Sequence, residues 1–376
     1  MSPLPAARAE IVVDLAAIRH NVRRLREVTG VQMMTVVKAD GYGHGLREVA
    51  RAAREAGAEW IGVATIDEAL ALRAGGDTGR VLCWLTVPGE DHAAAIAADV
   101  DVTAYSVAEL DEIEAAVAVA GRPARVQLKV DTGLSRGGAP MDTWAEVVAA
   151  ARAGEQDGTW RVTGIWSHFA ASDEPDHPAN DAQEAVFREA LTVAGAAGLD
   201  PEVRHLANSA GAILRPSARF DLVRVGLASY GLDPAPGHTP DLGLRPAMTV
   251  RATLAQTKRL AAGASVSYGH TWTAETDTTV GLVPAGYGDG VPRHASNVAQ
   301  VLVDGKRRAI RGRVCMDQFV VDLGGDLPAA GDDVVLFGPG SNGEPTAQDW
   351  AEASGTISYE IVTRIGGRMT RRYVEG

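Results

Sequence analysis

Lys38 ends the apolar run VVK and is followed at once by ADGYGHG, in which glycines alternate with other residues. A lysine at the end of a buried strand loses hydration, which lowers its pKa toward the range where the neutral amine is nucleophilic. A strand-end lysine can equally be a solvated charge, so this stretch alone leaves both readings open. Comparable positions recur along the chain: Trp84, Lys129 with Asp131, His168, Asn208 with Ser209, and Arg224 with Gly226. Each closes a short run of mostly Val, Ile, Leu and Met. A structural strand set carries one or two such residues by chance. A whole series at strand C-termini reads as an active-site rim.

The elements that must position these residues alternate regularly. DLAAIRHNVRRLREV is amphipathic with Asp14 as its N-cap, and QMMTVVK follows as a buried strand. The pattern then repeats through WIGVAT, RVLCWLT, DVTAYS, ARVQLKVDTG, RVTGIWSHFA and PEVRHLANS, with a helix between successive strands. FDLVRVGLASYGL is the last strand of the series. About eight strands separated by helices predict a (β/α)₈ barrel of the TIM type over residues 12–243. Beyond it the pattern changes to short alternating strands, with an Asp-Gly hairpin at Asp304-Gly305. This predicts a mostly β domain over residues 244–376, joined by residues 1–11 through the strand-like AEIVV.

Bulk properties narrow the functional classes. At 376 residues the chain exceeds the usual single core, so two domains are expected. A net charge of −12 with no basic tract argues against nucleic-acid and anionic-membrane partners. Two cysteines, far apart, fit a reducing cytoplasm. The N-terminal residues lack the plan of a signal peptide, and no apolar run approaches membrane-spanning length. A cytoplasmic protein is expected. GYGHGL is not a dinucleotide fingerprint, and Walker A, H-E-x-x-H and G-x-S-x-G sequences are missing. The nine histidines show no ligand spacing, so no metal is expected. His44, His92, His177, His238 and His294 read as surface or capping residues.

Nine short motifs, in order, carry a resemblance that covers essentially the whole chain. They are VVKADGYGHG, LKVDTGLSRGG, SHFA, HLANSAG, VRVGLASYG, VSYGHTW, GYGDG, GRVCMDQ and ISYE. Together they resemble the pyridoxal-phosphate-dependent alanine racemases. The resemblance implies a barrel plus β domain assembled as a head-to-tail homodimer with shared active sites. It implies that Lys38 holds pyridoxal 5′-phosphate covalently, and that Tyr42, Ser209, Tyr359 and the backbone at Gly226 and Leu227 bind its phosphate. Asn208 accompanies Ser209 at that end. His168 would pack near the pyridine ring and Arg224 would meet the ring nitrogen. Tyr268, from the other subunit, would be the second catalytic base, hydrogen-bonded by His205. Lys129 would be carbamylated and hold Arg136. Met316 and Asp317 would meet substrate and arginine from the partner chain, and Tyr287 with Tyr359 would narrow the entrance. Leu134 and Ser135 stand where methionine and glycine are frequent, and Ser167 replaces a threonine.

The implied reaction is racemisation of L- and D-alanine, supplying D-alanine for peptidoglycan. Two bases on opposite faces remove and return the Cα proton, while the cofactor supplies the electron sink. Arg224 has only N–H donors, so a pyridine nitrogen facing it must accept. That counts against a decarboxylase, which places an acidic residue there. A racemase of serine remains open, because side-chain selectivity depends on pocket volume. A non-catalytic binder of the same cofactor would be a barrel alone, without a β domain carrying Tyr268 and Met316. Cys315 reads as a small buried residue rather than a nucleophile.

Overall fold

A computed structural model describes residues 8–376. The chain divides into two compact units: Ile18–Gly41 with Gly45–Leu244, and residues 8–17 with Tyr42–His44 and Arg245–Gly376. Residues 12–17 and 42–44 thus group with the second unit, where the sequence pattern had placed them in the barrel. Residues 1–7 of the segment assigned to the β domain lie outside the described residues.

The first unit is the expected (β/α)₈ barrel. Its strands are Gln32–Val36, Trp60–Val63, Arg80–Cys83, Asp101–Ala104, Ala124–Lys129, Trp160–Trp166, Val203–His205 and Leu222–Val225. They run parallel in sequence order, and the last returns to pair with the first, Gln32 opposite Leu222. Val203–His205 and Leu222–Val225 share no ladder. Two backbone bonds close that seam, Asp221 N–H to Arg204 O at 3.1 Å and Arg224 N–H to Ala207 O at 3.0 Å. Met34, Trp60, Leu82, Val203 and Leu222 form a buried cluster, as strands covered on both faces require.

Helix starts are written locally. The Thr65 hydroxyl and the Glu68 carboxylate form a reciprocal capping box, and Ser106 accepts from the Glu109 N–H. The run FDLVRVGLASYGL is strand only over Leu222–Val225. Gly226, at φ −98° and ψ −96°, breaks it, and Leu227–Tyr230 winds into a 3₁₀ turn.

The two ends of the barrel differ in charge balance. Near the strand N-termini, buried Asp101 pairs with Arg80 at 2.7 Å and Arg125 at 2.6 Å, and Arg80 also reaches Glu202 at 2.7 Å. At the strand C-termini the cations of the rim lack such partners, as described below.

The second unit holds a nine-stranded, mostly antiparallel sheet. Ala9–Asp14 lies between Met248–Thr253, antiparallel, and Thr370–Val374, parallel, so AEIVV belongs to this sheet. Asp14 caps the helix that follows, its carboxylate accepting the Ala16 and Ala17 N–H groups at 2.8 and 3.1 Å. Asp304 and Gly305, at φ 50° and 67°, turn Gln300–Val303 onto Lys306–Arg311. That is the primed hairpin the sequence predicts.

Candidate active site

Lys38 lies two positions past Val36, the last residue of its barrel strand, and the chain then reverses. Ala39, Asp40 and Gly41 take left-handed backbone angles, with φ of 53°, 54° and 62°. Non-glycine residues there cost about 1–2 kcal/mol each, so the turn must be held from outside. The Glu68 carboxylate accepts the Ala39 N–H at 2.6 Å, Asp40 accepts the Leu46 N–H at 2.9 Å, and Gly41 N–H bonds Val37 O at 2.7 Å. The Lys38 ammonium lies 5.9 Å from the Trp84 ring centre. Burial lowers its pKa, as do Arg136 and then Arg224, against an opposing pull from Glu68.

Arg224 organises the rim. Its Nη1 donates to His205 Nδ1 at 3.0 Å and to His205 O at 3.1 Å. Its Nη2 donates to Ser167 O at 2.7 Å, Leu206 O at 3.0 Å and His168 Nδ1 at 3.1 Å. Burial pushes its pKa down to about 9, so it stays cationic at neutral pH. Among the described residues its Nε–H has no acceptor.

A guanidinium can only donate, and that fixes both histidines. Each Nδ1 must accept, so each ring proton sits on Nε2. Burial, then Arg224, holds both imidazoles well below the ordinary pKa and therefore neutral. His205 spends its Nε2–H on Gln127 Oε1 at 2.8 Å and stacks on Trp166, with ring centres 5.7 Å apart. It is fully buried, with no nitrogen left for a tyrosine. This corrects the hydrogen bond expected between His205 and Tyr268. The available group is His168 Nε2–H.

Lys129 ends the fifth barrel strand. Its ammonium lies 4.7 Å from the Trp166 ring centre and 5.7 Å from that of Tyr105. Burial, Arg224 and Arg136 lower its pKa to about 8, with Asp131 acting the other way. Asp131 also shapes the loop carrying exposed Arg136, accepting the Gly133 and Ser135 N–H groups at 2.9 and 3.1 Å. Ser135 sits at φ 55°, in the left-handed region. Among the described residues Lys38, Lys129, Arg136 and Arg224 make no ion pair. Four cations without an ion-paired carboxylate among the described residues form a ready-made site for an anionic ligand.

Next to Arg224, Ser209 Oγ accepts the Gly226 N–H at 3.0 Å and the Ala228 N–H at 3.5 Å. Leu227 begins the 3₁₀ turn there. Asn208 is a helix cap: its Oδ1 accepts from Gly211 N–H at 3.0 Å and Ser172 Oγ at 2.8 Å. That oxygen is not free for a ligand.

The second unit holds the remaining candidates. The Tyr42 and Tyr359 rings lie 6.2 Å apart, and burial, then Tyr359, raises the pKa of the Tyr42 hydroxyl. Tyr268 is 73% exposed, and Met316 and Tyr287 are also exposed. The latter two are tied by backbone, Tyr287 N–H to Cys315 O at 3.0 Å and Gly288 N–H to Met316 O at 2.9 Å. Asp317 pairs with Arg368 of its own unit at 2.5 Å. His44 and His92 are buried, contrary to the surface reading, and Cys315 is only half-buried. Gln127 and Glu68 were not singled out beforehand. The visible signal for Gln127 is a glutamine inside the apolar strand ARVQLK.

Comparison with known proteins decides the family. A family model described as "Alanine racemase, N-terminal domain" matches residues 13–234, and "Alanine racemase, C-terminal domain" matches residues 247–373. The chain belongs to the alanine racemase family. It is 56% identical to the alanine racemase of Salinispora arenicola, over 98% of this chain and 99% of that protein. The structure of alanine racemase from D-cycloserine-producing Streptomyces lavendulae superposes with a TM-score of 0.97 at 54% identity, covering 100% of this chain and 98% of that one. The Bacillus anthracis alanine racemase, solved with bound L-Ala-P, gives 0.90 at 34% identity, covering 99% and 96%.

The proton assignment has a direct consequence. In Gln127→Glu a carboxylate replaces the amide that His205 meets, and it should draw a second proton onto the imidazole. An imidazolium cannot accept from Arg224, so the anchor is lost. ¹⁵N NMR should show neutral His205 protonated at Nε2 in the wild type and imidazolium in the variant, with racemisation at least roughly tenfold slower.

Proposed function

We propose that the protein interconverts L- and D-alanine with pyridoxal 5′-phosphate, and that D-alanine so formed supplies cell-wall peptidoglycan in the cytoplasm. The observation that carries this reading is the rim itself. Lys38, with its lowered pKa, stands among Lys129, Arg136 and Arg224, none ion-paired among the described residues. The donor set fits the cofactor. The Ser209 hydroxyl, which takes the Gly226 N–H and keeps its own proton to donate, and the Leu227 N–H would hold its phosphate, with Tyr42 and Tyr359 as hydroxyl donors. The acceptor-free Arg224 Nε–H suits a pyridine nitrogen, which it leaves unprotonated. Bound cofactor supplies the electron sink that acidifies an amino acid's Cα proton.

The chain's own groups handle that proton. Lys38 is the covalent anchor and the base for one face. Tyr268 of a second copy is the base for the other face, in a head-to-tail homodimer whose β domain completes the partner's site. A phenol is a weak acid whose anion needs stabilising before it can act as a base, and His168 Nε2–H would be the donor for it. Arg136 binds the substrate carboxylate, and the partner's Met316 with Tyr287 and Tyr359 narrows the entrance.

At a pKa of about 8, about a tenth of Lys129 is neutral at pH 7, and that fraction rises with pH. Neutral amine reacts with carbon dioxide, and a carbamate would offset the surplus positive charge and accept from Arg136. With ¹³C-bicarbonate, a carbamate carbon signal that Lys129→Ala lacks is expected; no such signal would leave Lys129 a free amine.

The activity is tested by incubating holoenzyme with each L-amino acid and separating enantiomers. D-Alanine should form fastest; faster D-serine would reassign the substrate, and no D-product would overturn the reading. Shared sites are tested with Lys38→Ala and Tyr268→Ala, each severely impaired alone. After mixing and reassociation, heterodimers hold one site with both bases, so roughly one quarter of wild-type sites should return. No gain despite demonstrated heterodimers rules out sharing.

A further inference from the structure

Within its own chain the phenol of Tyr268 has no hydrogen-bond partner among the described residues, and 73% of the residue is left uncovered by that chain. What aims it is therefore the backbone on either side. Ser267, immediately before it, sits at φ 64° and ψ −178°. That region is open almost only to glycine, and other residues persist there when surrounding contacts impose it.

Those contacts come from the segment Gly312–Arg313–Val314–Cys315. Ser267 Oγ donates to Arg313 O at 2.6 Å and lies 3.3 Å from Cys315 Sγ. Gly312 faces Ser267 so closely that a Cβ there would lie 2.8 Å from Ser267 Cβ and 2.7 Å from Val266 O. On the far side of the tyrosine, a Cβ on Gly269 would lie 2.8 Å from the Arg313 guanidinium. Asn297 ties the two segments again, accepting the Gly312 N–H at 2.6 Å and donating to Thr271 Oγ1 at 3.1 Å.

We propose that Ser267 is a positioning residue for Tyr268, its hydroxyl locking the strained backbone that aims the phenol. This rests on the reading of Tyr268 as one of the two bases. A glycine at 267 would accept the same angles without strain but would also leave them freely. Serine holds one geometry because its Oγ bond to Arg313 O acts together with the close packing of Gly312 and the Asn297 bridge to offset the strain. Within its own chain Tyr268 has no other side-chain tether, so loosening Ser267 should misplace the proton-transferring oxygen and leave the barrel residues untouched.

The test compares Ser267→Gly, Ser267→Ala and, as control, Tyr268→Phe in holoenzyme. The readouts are melting temperature, kcat, and the isotope effect with α-deuterated L- and D-alanine. Ser267→Gly should keep or raise the melting temperature, lower kcat at least tenfold, and enlarge the isotope effect in one direction only. Ser267→Ala should show the same kinetic change with a lower melting temperature, because strain remains and the tether is gone. Wild-type kcat and isotope effects in Ser267→Gly would overturn the proposal. So would a loss of stability that accounts for the lost activity, or an isotope effect enlarged equally in both directions. Tyr268→Phe separates the two claims. If it racemises at the wild-type rate, the base assignment fails; if it is severely impaired while Ser267→Gly is normal, only the role of Ser267 fails.

Discussion

A guanidinium buried at the barrel rim without a carboxylate is the constraint on which the rest of the site depends. Burying a lone cation is costly unless its donors are satisfied. Arg224 meets that demand with three carbonyl oxygens and two imidazole nitrogens. Burial is the main cause that moves Lys38, Lys129 and both histidines toward their neutral forms, and the Arg224 charge, shared with no acid, adds to it at each. Burial and the unpaired charges beside these groups thus set the proton inventory of the rim. The opposite end of the barrel, where Asp101 is matched by Arg80 and Arg125, shows the balanced alternative.

Both proposed bases adjoin backbone that L-residues avoid. Lys38 precedes Ala39 at φ 53°, and Tyr268 follows Ser267 at φ 64°. In each case a neighbouring oxygen or hydroxyl supplies the restraint, Glu68 for the first and the Ser267 side chain for the second. Strain of this kind survives where its surroundings over-determine it, which is where a reactive atom must be aimed. A flexible lysine and an exposed phenol gain direction from the main chain that carries them.

Much of the fold was legible because it is encoded in local pattern. Alternating apolar strands and amphipathic helices give the barrel, and Asp304-Gly305 gives a hairpin whose angles only certain residues adopt. The strand-end position of Lys38 and Arg224 could be read the same way. What stayed hidden depends on pairings across the fold. Gln127 and His205 are 78 residues apart, and only barrel closure brings the amide to the ring. The role expected of His205 failed for that reason: its sequence neighbours say nothing of Gln127 or Trp166. The left-handed turn after Lys38 is likewise invisible, since Ala39 and Asp40 are not residues that announce it. The division between units also follows non-local partners, because the strand Ala9–Asp14 pairs with residues more than two hundred positions away.

The state of the proposed cofactor's ring nitrogen tests the central claim most directly, because it would report what Arg224 does to a bound group. Holoenzyme prepared with pyridoxal phosphate labelled with ¹⁵N in the ring should give a nitrogen shift characteristic of an unprotonated pyridine, unchanged from pH 6 to 9. A shift characteristic of pyridinium in that range would contradict it, since a guanidinium cannot accept the proton such a ring carries.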